Sequence, residues 1–82
     1  MKLYFEDRYG RLREIADVET KDEVNSAIAE FLKQYRFTSY YTRYWITDGE
    51  EVSYITYDVG SHTEFFKLAF PSRDEAENFL HS

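Results

Sequence analysis

The sequence predicts an α+β fold in the order β-β-α-β-β-β-α, with a largely antiparallel five-stranded sheet and the helices mainly on one face. Three observations predict it. Short segments alternate apolar and polar residues as half-buried strands do, two Ser/Thr-x-x-Glu boxes precede helical patterns, and an Asp-Gly pair separates two strand-like runs. With 82 residues, the chain is expected to form one domain over residues 1–82.

The first two strands are predicted on either side of a glycine turn. Residues 2–8 alternate between apolar and polar side chains, and Gly10 suits the turn because glycine accepts a positive φ. Residues 11–18 predict the second strand. Its apolar pattern breaks phase between Leu12 and Ile15, which indicates a β-bulge or an early exit from pairing.

The first helix is the element with the clearest sequence signal. Thr20 and Glu23 form a capping box, in which each side chain can bond the backbone N–H of the other residue. Apolar side chains then recur at helical spacing for about four turns. These apolar positions are Val24, Ala27, Ile28, Phe31 and Tyr35.

The pair Asp48-Gly49 predicts a hairpin between residues 40–47 and 52–59. A loop of even length pairs Tyr44 with Ser53 or Ile55, and an odd loop changes which strand faces match. We prefer a four-residue loop. It places one set of side chains on one face, namely Tyr40, Thr42, Tyr44, Ile46, Ile55, Tyr57 and Val59. The other face then receives Tyr41, Arg43, Trp45, Tyr54 and Thr56.

A last strand and a short helix complete the predicted fold. Residues 62–70 alternate as a strand after a turn at Gly60, and Pro71 ends it because proline cannot donate to a sheet ladder. Residues 72–75 form a second capping box. An amphipathic helix is expected to follow over its apolar positions Ala76, Phe79 and Leu80.

Composition narrows the classes of function. The chain has no cysteine, so disulfides, thiolate metal sites and cysteine catalysis are excluded, and a reducing cytosol is favoured. No apolar stretch reaches membrane-spanning length and the first ten residues do not resemble a signal peptide, so a cytoplasmic location is expected. The net charge of -6 disfavours direct binding to nucleic acid or to an anionic membrane.

The negative charge is concentrated in the second half of the chain. Residues 1–36 hold 7 Lys/Arg and 8 Asp/Glu, whereas residues 37–82 hold 3 and 8. Most such charges keep a surface soluble, but an acidic patch can also meet a basic protein surface or mimic DNA. The residues predicted to form that acidic surface are Asp48, Glu50, Glu51, Asp58 and Glu64.

No constellation predicts catalysis or a cofactor. Asp58, Ser61 and His62 are the residue types of a hydrolytic triad, but adjacent side chains diverge in an extended chain, so a polar turn is the preferred interpretation. His62 and Glu64 are too few for a zinc site, and the dispersed glycines form no phosphate loop. We therefore expect no enzyme, no metal and no cofactor, although paired catalytic carboxylates stay open.

Aromatic density is the strongest functional signal. Eight aromatic residues lie between Tyr35 and Tyr57. Tyr, Trp and Arg are enriched at interface hot spots, so one sheet face is predicted to bind a protein. Its partner-binding residues are Tyr41, Arg43, Trp45, Tyr54 and Phe65, with Lys67 nearby. The alternatives are a core face, a face covered by the second helix, a homodimer, or a surface that stacks single-stranded nucleic acid, which the charge opposes.

Two strings resemble segments of a known group of proteins. Residues 40–45 read Tyr-Tyr-Thr-Arg-Tyr-Trp, and residues 58–66 read Asp-Val-Gly-Ser-His-Thr-Glu-Phe-Phe. Both are similar to small uncharacterised proteins encoded by phages and prophages of Gram-positive bacteria. The resemblance implies an origin rather than an activity: a phage accessory protein inside a bacterial cell, of a kind that often binds host machinery.

These observations predict a non-enzymatic phage or prophage accessory protein that acts by protein–protein interaction through an aromatic sheet face. Its partner would be a host factor or a second copy of the chain. An acidic DNA mimic that inhibits a host nucleic-acid enzyme or defence system is one alternative, and a structural homodimer is the other.

Overall fold

The computed structural model describes residues 1–35, 43–60 and 62–82. The described residues form five strands and two helices, which confirms the predicted order and the α+β class. The strands are β1 (Lys2–Glu6), β2 (Leu12–Asp17), β3 (Arg43–Asp48), β4 (Ser53–Asp58) and β5 (Phe65–Phe70). The helices are α1 (Lys21–Tyr35) and α2 (Arg73–Leu80).

All five strands lie in one antiparallel sheet in the order β2-β1-β5-β4-β3. Strands β1 and β2 pair with each other as one hairpin, and β3 and β4 pair with each other as a second hairpin. Strand β5 lies between the hairpins and pairs with β1 on one side and with β4 on the other. The sheet is therefore continuous only because a strand from the C-terminal third of the chain fills its centre.

The predicted bulge is confirmed in β2. Leu3 pairs with Ala16 and Tyr4 pairs with Glu14, so Ile15 is the extra residue between them. Strand β1 ends two residues earlier than expected. The cause is Asp7, whose carboxylate accepts hydrogen bonds from the backbone N–H groups of the turn that follows, at 2.9 and 3.0 Å.

The β3–β4 hairpin has the preferred four-residue loop, but its predicted pairing is wrong. Asp48 pairs with Ser53, and Tyr44 pairs with Tyr57 rather than with Ser53 or Ile55. The ladder continues past the expected loop because the Ser53 hydroxyl donates to Asp48 Oδ1 at 3.1 Å. This two-residue shift leaves every described side chain on its predicted face, since side chains alternate with a period of two.

Both helices pack on the same face of the sheet. Helix α1 begins with the predicted capping box: the Glu23 N–H donates to Thr20 Oγ1, and the Thr20 N–H donates to Glu23 Oε1, both at 3.1 Å. The Phe31 ring of α1 lies 4.6 Å from the Phe5 ring, centroid to centroid. The Phe79 ring of α2 lies 5.4 Å from that of Phe70.

The hydrophobic core lies between the helices and this face of the sheet. Its buried strand residues alternate along β1, β4 and β5, its residues from α1 share one side of that helix, and α2 contributes Ala76. The fully buried members include Leu3, Ile28, Ile55, Phe66 and Leu68. Neither described helix is long and apolar enough to cross a membrane.

Candidate interaction surface

The sheet has a second face, which no described helix covers; we call it the open face. Its side chains alternate with those of the core, and the registers of the four strand pairs bring them together. The open face consists of Lys2, Tyr4, Glu6, Leu12, Glu14, Asp17, Arg43, Trp45, Thr47, Tyr54, Thr56, Asp58, Phe65, Lys67 and Ala69.

Aromatic rings and two cations lie together on the part of the open face formed by β5, β4 and β3. The Trp45 and Phe65 rings meet edge to face, with their centroids 6.1 Å apart. The Arg43 guanidinium carbon lies 5.3 Å from the Trp45 centroid, and Lys67 Nζ lies 5.4 Å from the Tyr54 centroid. These distances allow cation–π attraction, so the rings and the cations hold one another in place.

Four of the five predicted partner-binding residues come together here. Arg43 and Phe65 both flank Asp58 across adjacent strands, and Trp45 and Tyr54 share the same face one strand apart. The fifth, Tyr41, lies outside the described residues. The alternatives of a core face and of cover by the second helix are wrong for the described residues, because α2 packs on the opposite side.

The charges of the open face are paired with one another. Lys2 Nζ lies 3.1 Å from Glu14 Oε2, Lys67 Nζ lies 3.4 Å from Glu6 Oε2, and Arg43 Nε lies 3.1 Å from Asp58 Oδ2. These three cations and three anions balance, and the remaining anion of the face, Asp17, lies 3.0 Å from the N-terminal ammonium, although the chain as a whole carries -6. The excess negative charge therefore lies elsewhere on the molecule.

Asp58 is the buried member of this set, with a side chain only 1% exposed. Its carboxylate accepts from the Gly60 N–H at 2.8 Å and from Arg43 Nε at 3.1 Å. Burial acts to raise the pKa of Asp58, but these hydrogen bonds outweigh it and hold the pKa below its usual value. The ionised carboxylate anchors Arg43, whose own side chain is 62% exposed, beside Trp45.

Asp58 also contacts His62, in the segment that the sequence predicted to be a polar turn. His62 Nδ1 lies 3.4 Å from Asp58 Oδ2 on an exposed ring, and His62 has a φ of 64°. The bond from the Gly60 N–H to Asp58 is the Asx-type contact expected of a polar turn. Ser61 lies outside the described residues, so the described geometry contains a His-Asp contact and no triad.

The predicted acidic surface is wrong as a single surface. Asp48, Glu50 and Glu51 lie at the tip of the β3–β4 hairpin, whereas Asp58 and Glu64 lie at the other end of β4. Five residue steps of strand separate the two ends, or about 17 Å. Several of the charges are also paired with cations: buried Asp58 with Arg43, Asp48 with Arg73 Nη1 at 2.7 Å, and Glu64 with Arg8 Nη2 at 3.6 Å.

A groove of about 820 Å³ on the other side of the molecule has no counterpart in the sequence analysis. It lies among the start of α1, the end of β5 and helix α2. Lys21 Nζ lies at its wall and donates to the carbonyl oxygens of Leu80 and Ser82 at 2.8 and 3.0 Å. Its lining comes from Met1, residues 19–22 and residues 70–82, which are distant parts of the chain, so no local pattern could have indicated it.

Comparison with known proteins adds no relative. The chain matches no family model, no curated protein and no solved structure. Within residues 1–35, 43–60 and 62–82, no three His, Asp or Glu side chains converge as a metal site would require. The open face is thus the candidate site that the geometry supports best.

Proposed function

We propose that this chain is a non-enzymatic accessory protein that binds another protein through its open face. One observation carries the proposal: Trp45, Tyr54 and Phe65 lie together on a sheet face that no described helix covers, with Arg43 and Lys67 against the rings. When such rings bind a partner, large apolar areas are removed from contact with water. The polar atoms of Trp and Tyr can still form hydrogen bonds that orient the partner.

The balance of charge favours a protein partner. Each cation of the open face already has an anion beside it, so an apolar partner surface can cover the face without leaving a charge buried alone. Arg43 presents most of its side chain to solvent while its carboxylate partner is buried. The best-fitting partner surface is therefore apolar, with an acidic group placed to meet Arg43.

The resemblance to phage and prophage proteins supports the setting of this interaction. The first of the two similar strings supplies Arg43 and Trp45 to the open face, and the second supplies Asp58 and Phe65. We therefore place the protein in the cytoplasm of a bacterial host and its partner among the host's proteins. The acidic DNA mimic is less well supported, because its five residues divide between two ends of the sheet.

Capture of a partner from a lysate of a Gram-positive bacterium tests the proposed surface. Trp45→Ala is expected to lose the captured protein, because truncation of a hot-spot residue costs at least about 2 kcal/mol of binding free energy. Tyr9→Ala is the matched control, since Tyr9 is 77% exposed and lies in the β1–β2 turn, away from the open face. Equal capture by both variants, each with an unchanged far-UV spectrum, would show that the open face is not the binding surface.

A homodimer that buries the open face is the remaining competitor. Light scattering gives the mass of the native particle, and quenching of Trp45 fluorescence by a soluble quencher reports whether the open face is covered. The proposal expects an accessible Trp45 at every concentration. A dimer with a shielded Trp45 would replace the host partner with a second copy.

A further inference from the structure

The two edges of the sheet differ in how they are protected. Edge strand β2 contains the bulge at Ile15 and carries the charged residues Arg13 and Glu14 within it. Bulges and charges are the devices by which proteins block pairing at a sheet edge. Edge strand β3 pairs with β4 over six consecutive residues without a bulge, and it has charges only at its two ends, Arg43 and Asp48.

The outer backbone groups of β3 can be assigned from the hairpin. The Gly49 N–H donates to the Val52 carbonyl at 2.7 Å, so the backbone of Gly49 points toward β4. Backbone direction alternates along an antiparallel strand, and the N–H and C=O groups of Tyr44, Ile46 and Asp48 therefore point outward. Within the described ranges, β3 pairs with β4 alone.

We propose that the β3 edge pairs antiparallel with the β3 edge of a second copy of this chain. The three outward residues are spaced evenly about Ile46, so a two-fold axis at Ile46 brings Ile46 opposite its own copy and Tyr44 opposite Asp48 of the second copy. All three outward N–H groups and all three C=O groups of each copy then find partners. The product is one continuous sheet with both open faces on the same side.

The charges on and beside β3 favour a second copy of this chain as the partner, and they favour antiparallel over parallel pairing. Arg43 and Asp48 are each paired within the chain, to Asp58 and Arg73, so two copies of net charge -6 meet along a strip without unpaired charge. Antiparallel pairing also places the acidic hairpin tip of each copy, which holds Glu50, beside the exposed Arg43 of the other. Parallel pairing would bring the two acidic tips together.

The pairing would enlarge the candidate site. Trp45 of each copy lies beside Thr47 of the other on the shared open face, so both aromatic clusters become parts of one surface. This inference does not rest on the proposed function, because edge pairing leaves the open face uncovered.

The substitution Tyr44→Pro tests whether the β3 edge forms the dimer. The Tyr44 N–H points outward, so Tyr44→Pro removes two bonds from the dimer and leaves the β3–β4 ladder intact. Tyr44→Val is the matched control, since it removes the same ring and keeps the N–H. In sedimentation equilibrium we expect wild type and Tyr44→Val to dimerise, and Tyr44→Pro to have a dissociation constant about 10- to 100-fold weaker than Tyr44→Val. Equal dissociation constants, or a wild type that stays monomeric at all concentrations, would overturn the proposal.

A single introduced cysteine tests the register, because the natural chain contains none. At the two-fold axis the Cα atoms of Ile46 and its copy would be about 5.5 Å apart, within disulfide range. Ile46→Cys is therefore expected to cross-link on mild oxidation. Trp45→Cys is the control, since the two copies of residue 45 would be about 8 Å apart. Faster cross-linking of Trp45→Cys would exclude this register.

The experiments on edge pairing and those on the open face can contradict one proposal without contradicting the other. Loss of dimerisation in Tyr44→Pro with capture of a host protein retained would support the edge and the open face as separate surfaces. A dimer that shields Trp45 from quencher and is indifferent to Tyr44→Pro would replace edge pairing with face-to-face association.

Discussion

At the scale of single residues, Asp58 is the residue that connects the parts of the candidate site. Its buried carboxylate accepts from the Gly60 N–H and from Arg43, and so connects the turn after β4 to the cation beside Trp45. Asp58 was predicted from the sequence as part of an exposed acidic surface. In the structure it holds a solvent-exposed arginine in position, which its residue type alone did not reveal.

The lowered pKa of Asp58 predicts how stability depends on pH. A carboxyl group whose pKa is lower in the folded than in the unfolded protein stabilises the fold above its unfolded pKa, about 3.9, and this contribution is lost as the pH falls through the folded pKa. Asp58→Asn is therefore expected to be less stable than wild type at neutral pH and to lose less stability on acidification below about pH 4. Urea denaturation at a series of pH values measures this, and parallel curves for the two proteins would show that Asp58 does not contribute.

At the scale of elements, strand β5 separates the core from the candidate site by alternation. Phe66 is fully buried among the core rings, 5.4 Å from Phe5, whereas Phe65 is partly exposed on the open face beside Trp45. Two adjacent phenylalanines thus serve opposite sides of one strand, because successive side chains of a strand point to opposite faces.

This alternation predicts different costs for two neighbouring substitutions. Phe66→Ala leaves a cavity in the core and is expected to lower the free energy of unfolding by about 3–5 kcal/mol. Phe65→Ala removes a partly exposed ring, so we expect less than half of that loss together with weaker partner capture. Chemical denaturation measures the first effect and lysate capture the second. Equal losses of stability would contradict the assignment of the two faces.

At the scale of the whole molecule, β5 makes one folding unit of two hairpins. It pairs with β1 on one side and with β4 on the other, and helices α1 and α2 both pack on the face that these strands share. The single tryptophan, Trp45, lies in the β3–β4 hairpin, so its fluorescence reports on that half of the sheet.

This arrangement predicts a single cooperative transition. Trp45 fluorescence and far-UV circular dichroism are expected to give the same midpoint of unfolding in urea. The reason is that the β3–β4 hairpin cannot detach from the sheet without exposing the core around β5. Leu68→Ala in β5 should shift both midpoints by the same amount, and Tyr9→Ala in the β1–β2 turn should shift neither. An earlier fluorescence midpoint would mean that the β3–β4 hairpin unfolds separately.

Much of the fold could be predicted because its signals are local. The capping box at Thr20, the turn at Gly10, the bulge at Ile15 and the alternation along each strand depend on residues close together in the chain. The same alternation predicted that Arg43, Trp45, Tyr54 and Phe65 share a face. The hairpin register was missed by two residues because the bond between Ser53 and Asp48, which extends the ladder, does not appear in any apolar pattern.

The linear pattern of residues was enough for the element order and for the two faces of each strand, since propensity, capping and periodicity act within a few residues. Only the tertiary structure decided that β5 lies at the centre, that the face covered by the helices is the one opposite Trp45, that Asp58 is buried under Arg43, and that the acidic residues divide between two ends of the sheet. These outcomes depend on which distant segments bury apolar area against one another, because burial and pairing between such segments set the free energy of the whole chain.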